Sequence, residues 1–434
     1  MWKRAILILI VWGVLFGIPV YAKKVTINFA AWTYDLTRVK QHLQLFSEWI
    51  KETHGIDVDI KLTDYPFGQF DVNIAINFVG GSPFDVFYTS DHWLAKWRTA
   101  GWIVPIEDYM SIPEKDDLIP YVQAAFTLDG KLYALPYYAD VMIFVYNTKM
   151  LQKAGFKSPP TTWQEVFEYS RHLKEQGIVE SPFWAPLKAV SWFEEVIFAM
   201  LYGFGGDLFD DVTLAVKFET GSGPFYDVIA WLKQAVETGI MSPRCLEMTA
   251  VDVQEAVKAG DAAFAIVPGY MLAEFNLAPG SKVRGEIDVA LMPGTGVTTG
   301  FARGYVMSPA AVRDPDKRAV CVQLMKFLGG KVLINNVETY HIAKSWSLNN
   351  ALGFAYRSLW DDPDVAAFFR QLGNLEVLKQ QKENALLKDG LKAPWYPEWI
   401  RLLRSEIQAA ILGQKTIEAT LTALRQAWIE LAQK

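Results

Sequence analysis

At 434 residues, with 51 % apolar and 21 % charged side chains, the chain is too long for one ordinary core and too apolar to be disordered, so two globular lobes are expected. Its net charge of −6, with no basic stripe, argues against nucleic-acid binding. Only two cysteines occur, Cys245 and Cys321, far apart in sequence. They are either one disulfide or two buried thiols, and stability must come from the core.

The first residues have a basic start (Lys3, Arg4), an uncharged apolar stretch over 5–18, and a small-residue ending at Val20-Tyr21-Ala22. This pattern reads as a secretory signal spanning 1–22 and cleaved after Ala22. The stretch is short of the roughly 20 residues a membrane span needs, which leaves an uncleaved anchor as the alternative. Loss of Lys3 and Arg4 takes the basic count from 42 to 40 against 48 acids, a mature charge of −8. No cysteine adjoins the cleavage point to accept a lipid, so an exported and then soluble protein is expected.

From Lys24 strands and helices alternate. "VTINFAAW" (Val25–Trp32) predicts a strand, and "VKQHLQLFSEWIKETHG" an amphipathic helix with Leu43, Phe46, Trp49 and Ile50 on its apolar face and Gly55 at its end. "IDVDIKL" and "PFDVFYT" predict the second and third strands, and "DHWLAKWRTAG" a helix with Asp91 at its N-cap. A DGK turn (129–131) precedes "LPYYADVMIFVY", in which Asp140 stands between tyrosines and an unbroken apolar strand. "PPTTWQEVFEYSRHLKEQG" predicts a helix with a Thr162/Glu165 capping box, and its period makes Trp163 a packing residue. The segment to about Gly260 reads as mostly helical, "AAFAIV" and "IDVALMP" as buried strands, and the last third as helical. In the final helix Ile417, Leu421, Leu424, Trp428 and Leu431 form one stripe. The alternation implies an α/β fold with a mainly parallel sheet.

Metal and nucleophile chemistry find no pattern. His42, His54, His92, His172 and His341 are scattered, His42 and His172 on solvated helix faces, and there is no H-E-x-x-H pair or G-x-S-x-G elbow. "PGTGVTTG" (293–300) follows a strand without opening a helix, so it is not a phosphate cradle. No cofactor is expected. What does recur is a gathering of aromatics and polar groups where strands end: Trp32, Tyr34 and Asp35; Tyr88, Ser90, Asp91 and Trp93; Tyr137, Tyr138 and Asp140; Tyr270 after "AAFAIV"; and Phe301, Arg303 and Tyr305. Singly each reads as a cap, a turn or packing. Together they suit a cleft at the strand ends, with rings for the C–H faces of a polyhydroxylated ligand and carboxylates for its hydroxyls. A glycoside hydrolase with Asp91 and Asp140 as its acid pair is the rival from a different class.

"GSPFDVFYTSDHWLAKWRTAGWIVPIEDY" (81–109), "DGKLYALPYYADVMIFVYNTKMLQKAG" with "PPTTWQEV", "VDVQEAVKAGDAAFAIVPGYML" and "YPEWIRLLRSEIQAAILGQKT" follow one another over about 400 residues. In that order they resemble the extracellular solute-binding proteins of ABC transporters, in the sugar-carrying, maltose-binding-protein-like group. The chain departs from that pattern at Tyr270 and Tyr305, where the family often has tryptophan, and in the shorter "GGDLFDD". The resemblance implies a type II, two-lobed periplasmic fold hinged by three crossings near 139–144, 303–306 and 363–369, with a helical C-terminus. One lobe would comprise 23–139 and 306–366, the other 140–305 and 367–434. It implies a monomer in the periplasm or outside the cell that binds a di- or oligosaccharide, hands it to a membrane permease and performs no chemistry. Its ligand set would be Trp32, Tyr65, Asp91, Tyr138, Asp140, Tyr270, Arg303, Tyr305 and Trp395. Arg303 reads equally as an ion-pair partner in the hinge. A basic group such as Arg303 would dominate if the ligand were instead a polyol phosphate.

Overall fold

The computed structural model describes residues 24–433; the expected signal segment 1–22 lies outside them. Nine strands form one sheet: β1 (Val25–Trp32), β2 (Val58–Tyr65), β3 (Val86–Ser90), β4 (Ala134–Asn147), β5 (Phe183–Trp184), β6 (Phe264–Pro268), β7 (Ile287–Ala290), β8 (Thr298–Met307) and β9 (Ala385–Leu387). The main order is β2-β1-β3-β8-β4-β6-β5, with β9 on β8 and β7 on β4. The expected mainly parallel sheet is in fact mixed. β1 pairs in parallel with β2 and β3, β5 with β6, and β8 with β9, whereas β4 and β8 run antiparallel to each other and to β6, β7 and β3. The cause is that β4 and β8 are not members of a βαβ unit. They are two long strands passing in opposite directions through the middle of the molecule.

β4 is buried along its 14 residues except at Tyr146, as its unbroken apolar run predicts. Its partner changes midway: Ala134–Val141 face β8, and Met142–Asn147 face β6 and β7. This switch falls within the expected first crossing at 139–144. β8 likewise moves from β3, paired through Arg303–Met307, to β9, paired through Thr298–Gly300. The third expected crossing, 363–369, lies inside the helix Pro363–Arg370. A bulge between Arg303 and Gly304 breaks the β4–β8 register and places Arg303 opposite Tyr138. Such irregularities re-aim side chains.

Local signals act as read. The Thr162/Glu165 capping box forms with both reciprocal hydrogen bonds, and Asp129-Gly130 turns a short hairpin with positive φ at both residues (50° and 78°). Trp163 is buried, as are Ile417, Leu421, Leu424 and Trp428 of the final helix. Both cysteines are free buried thiols.

Two local readings are corrected. Asp91 does not cap a helix: the helix Leu94–Thr99 starts at Trp93 without a side-chain cap. Its carboxylate turns inward instead, because Arg303 offers a charged partner there. His42 is not solvated. It faces the core beside Leu43 and Phe46, edge-on to Trp346 at 5.2 Å, with Nε2 3.0 Å from Ser345 Oγ.

Burial, reinforced by the Arg38 charge, lowers the His42 pKa to about 4. The unfolded chain takes up this proton near pH 6.5 and the folded chain only near 4, so stability falls as pH drops through that window. The wild type should lose about 3 kcal/mol more than His42→Gln between pH 6.5 and 4. Urea denaturation of both proteins across this range checks it; equal pH slopes would contradict a neutral buried imidazole.

Candidate functional site

The ends of β1, β2, β3 and β6 converge with the middle of β4 and β8 on one cavity of about 340 Å³. Tyr137, Tyr138 and Asp140 of β4 and Phe301, Arg303 and Tyr305 of β8, expected at strand ends, lie within these two long strands. Its walls are largely aromatic: Trp32 and Tyr34 from the end of β1, Phe67 after β2, Tyr138 on β4, Trp192, and Tyr270 after β6. Trp32 and Tyr34 stack at 5.1 Å, and Trp192 stands edge-on to Phe301 at 5.0 Å and 6.2 Å from Tyr270. The Trp192 backbone occupies the left-handed region (φ 82°). That conformation is strained by about 1–3 kcal/mol for a bulky residue, and it carries the ring into the cavity immediately before the helix Phe193–Gly203.

The polar groups of the wall are His92, Glu195 and Arg303, with Ser191 and Gln254 at the margin. Arg303 is buried and donates from Nη1 to Asp91 Oδ1 at 2.8 Å and to Ala302 O at 2.9 Å. Its guanidinium also sits 5.4 Å from both the Phe67 and the Phe301 ring. Asp91 further accepts from Ser90 Oγ (2.9 Å), His92 N (3.0 Å) and Ala302 N (3.3 Å). A second pair crosses the first: Lys388, fully buried just past β9, stands 3.5 Å from Glu195 Oε1 and 3.7 Å from Asp91 Oδ2. Two carboxylates thus face two cations in one enclosed cluster. Burial alone would raise both acids, but Lys388, His92 and Arg303 outweigh it, holding Asp91 at about 2 and driving Glu195 well below the usual carboxylate range.

Asp140 occupies a different layer. It does not line the cavity; its oxygens accept from Val141 N and Tyr270 N, each at 2.9 Å. Gly269 and Gly353 leave the room it needs, since a Cβ on either would come within 2.6 Å of Asp140 Oδ1 or 2.9 Å of its Cγ. Burial raises its pKa to about 6, against the Lys382 charge and the two N–H donors. Lys382, lowered to about 8 by burial, donates to Ala139 O and Phe354 O at 3.1 Å and rests 4.4 Å from the Phe354 ring centre. Asp140 therefore fixes the chain that presents Tyr270.

Of the nine residues expected to hold ligand, Trp32, Tyr138, Tyr270 and Arg303 line the cavity. Asp91 and Asp140 lie beneath it, tied to Arg303 and to the Tyr270 backbone. Tyr305 is buried against Tyr137 at 5.1 Å. Tyr65 receives a hydrogen bond from Asn77 at 3.1 Å, and Trp395 packs on Trp428 at 5.7 Å, both outside the lining. Phe67, His92, Trp192 and Glu195 escaped the sequence reading. For Trp192 and Glu195 the only signal was a tryptophan beside two adjacent acids in an otherwise apolar helix. His92, Glu194 and Glu195 bring ligand atoms within 4.8 Å of one another, in the spacing of a metal site. Glu194 is already engaged by Arg404, with Nε to Oε2 at 2.8 Å, and Glu195 by Lys388, so this cluster is an ion-pair network.

The family model described as "Bacterial extracellular solute-binding protein" matches residues 36–331. A mannitol-binding protein of Pseudomonas aeruginosa is 33 % identical over 100 residues, 22 % of this chain and 23 % of the relative. A maltotriose-binding protein of Pyrococcus abyssi is 29 % identical over 178 residues, 39 % and 36 % of the two chains. The chain thus spans roughly a quarter to a third of the length of these curated relatives. The maltose-bound T. maritima MalE3 structure superposes with a TM-score of 0.76 at 18 % identity, covering 94 % of this chain and all of that one, and shows the same two-lobed fold.

Removing one member of the buried cluster leaves an uncompensated charge, which costs about 3–5 kcal/mol. Lys388→Met should be destabilised by that amount, and adding Glu195→Gln should recover a large part of it. Guanidinium denaturation of the single and double variants measures the coupling; a Lys388→Met protein as stable as wild type would show that the four charges are not linked.

Proposed function

Because the chain belongs to the bacterial extracellular solute-binding proteins, we propose that it captures a carbohydrate in the aromatic cavity and delivers it to the permease of an ABC importer. The signal-like segment 1–22 supports export to the periplasm or beyond the cell. The observation that carries the ligand class is the lining itself: six aromatic side chains surround a few buried polar groups. Sugar C–H faces stack on rings, and hydroxyls bond to charged acceptors.

Capture follows from the sheet. β4 and β8 pass through its centre and change partners there, so they are the natural flexing strands between lobes of about 23–139 with 306–366 and 140–305 with 367–434. Ligand touching residues of both lobes stabilises the closed arrangement by its differential affinity for it.

Hydrolysis is disfavoured by protonation and position. Asp91, held at about 2, carries no proton to give to a leaving oxygen, and Asp140, though raised to about 6, lies behind the Tyr270 backbone. A polyol phosphate is disfavoured too, since Arg303 is already matched by Asp91.

A thermal-shift screen over neutral sugars should give a hit, because ligand raises apparent stability by RT ln(1 + [L]/Kd). Trp192→Ala should weaken calorimetric affinity for that hit by about tenfold or more, and chromatography should recover the sugar intact. Unchanged affinity in Trp192→Ala, or cleaved sugar, would refute the assignment.

A further inference from the structure

Among the described residues, two buried polar atoms at the cavity, Glu195 Oε2 and Tyr138 Oη, have no hydrogen-bond partner, and a third, His92 Nε2, has only its ion-pair contact with Glu195 Oε1 at 3.4 Å. They come from three elements, the helix Phe193–Gly203, the turn after β3, and β4. Glu195 is 2 % exposed and Tyr138 4 %, so bulk water does not serve them. Buried polar atoms are rarely left unpaired in folded proteins, and one that is unpaired at a cavity wall marks the place where a ligand supplies the missing group. Glu195 Oε1 is held by Lys388 at 3.5 Å and faces His92 Nε2 at 3.4 Å. That leaves Oε2 as the free acceptor.

The charge pattern restricts what that group belongs to. Within the cluster Asp91 and Glu195 each stand beside Lys388, and Asp91 also beside Arg303, so the wall presents no unmatched carboxylate, guanidinium or ammonium to attract a charged solute. Size restricts it further. Small-molecule sites span roughly 300–1,000 Å³, and about 340 Å³ lies at the small end. Val251 and Leu352 add apolar lining.

The geometry points to a compact, neutral polyol as the ligand, an alditol or a sugar of one or two rings, read by Glu195, His92 and Tyr138 at one end while its carbon face lies on the rings. This rests on the carbohydrate reading above and narrows it away from long oligosaccharides and phosphorylated solutes. The hydroxyl that reaches Glu195 donates to an ionised carboxylate, which makes it the strongest polar contact the cavity offers.

Calorimetric titration with D-mannitol, D-glucose, maltose, maltotriose and sn-glycerol 3-phosphate tests it. One of the first three should bind at least tenfold more tightly than the last two. With that probe Glu195→Gln should weaken binding tenfold or more. Tyr138→Phe, which removes one oxygen and leaves the charge cluster intact, should weaken it several-fold without moving the ligand-free melting temperature. Tightest binding of maltotriose would overturn the compact class and leave the carbohydrate reading standing. Tightest binding of sn-glycerol 3-phosphate would overturn both. Wild-type affinity in both variants would overturn the polar end assigned here, and no binding by any probe at millimolar concentration would overturn the carbohydrate reading together with this one.

Discussion

The buried cluster of Asp91, Arg303, Glu195 and Lys388 is the constraint on which the centre of the molecule depends. Its members come from the turn after β3, from β8, from the helix Phe193–Gly203 and from the segment after β9, elements more than 200 residues apart in sequence at the extremes. Enclosing four charges is costly, and each is tolerable only beside its opposite. The cluster therefore fixes where these elements meet, and it does so directly beneath the aromatic cavity. It also pairs the carboxylates, the guanidinium and the ammonium of the site with one another, so none of them is left facing the cavity without an opposite charge.

Around that floor the two long strands do the connecting. β4 and β8 carry Tyr138 and Arg303 on one face at the bulge and exchange partners near the same level. Asp140 and Lys382 clamp the strand from behind, one through the Tyr270 N–H and the other through the Ala139 and Phe354 carbonyls. A residue that lacks access to the cavity thus sets the position of one that has it. This is why an aspartate set among tyrosines attracts attention in a sequence and yet sits one layer away from the cavity.

Much of the local structure was legible. The Val25–Trp32 strand, the Thr162/Glu165 cap, the Asp129-Gly130 turn and the apolar run of β4 each depend on interactions within a few residues, and the chemistry of those residues settles them. Trp32, Tyr138, Tyr270 and Arg303 were named in the sequence and do line the cavity, Trp32 and Tyr270 at strand ends as expected, Tyr138 and Arg303 from the middle of β4 and β8. Asp91 was misread because its short side chain is an equally good helix cap, and only the approach of Arg303 from β8 decides between the two uses. Trp192 and Glu195 were invisible because a left-handed backbone turn and a helix packed beside β8, not a sequence period, bring them to the cavity.

The sequence by itself determined an exported-looking α/β chain with aromatic and polar strand ends, and the order of its motifs pointed to a solute-binding protein. Those properties reside in composition, short-range pattern and motif order. Tertiary structure alone decided that the central sheet is mixed, that Asp140 supports rather than lines the cavity, and that Glu195 and His92 face it. Each of these turns on burial and on charge partners drawn from distant segments, and the free energy of a buried charge depends on what the fold places within a few ångströms of it.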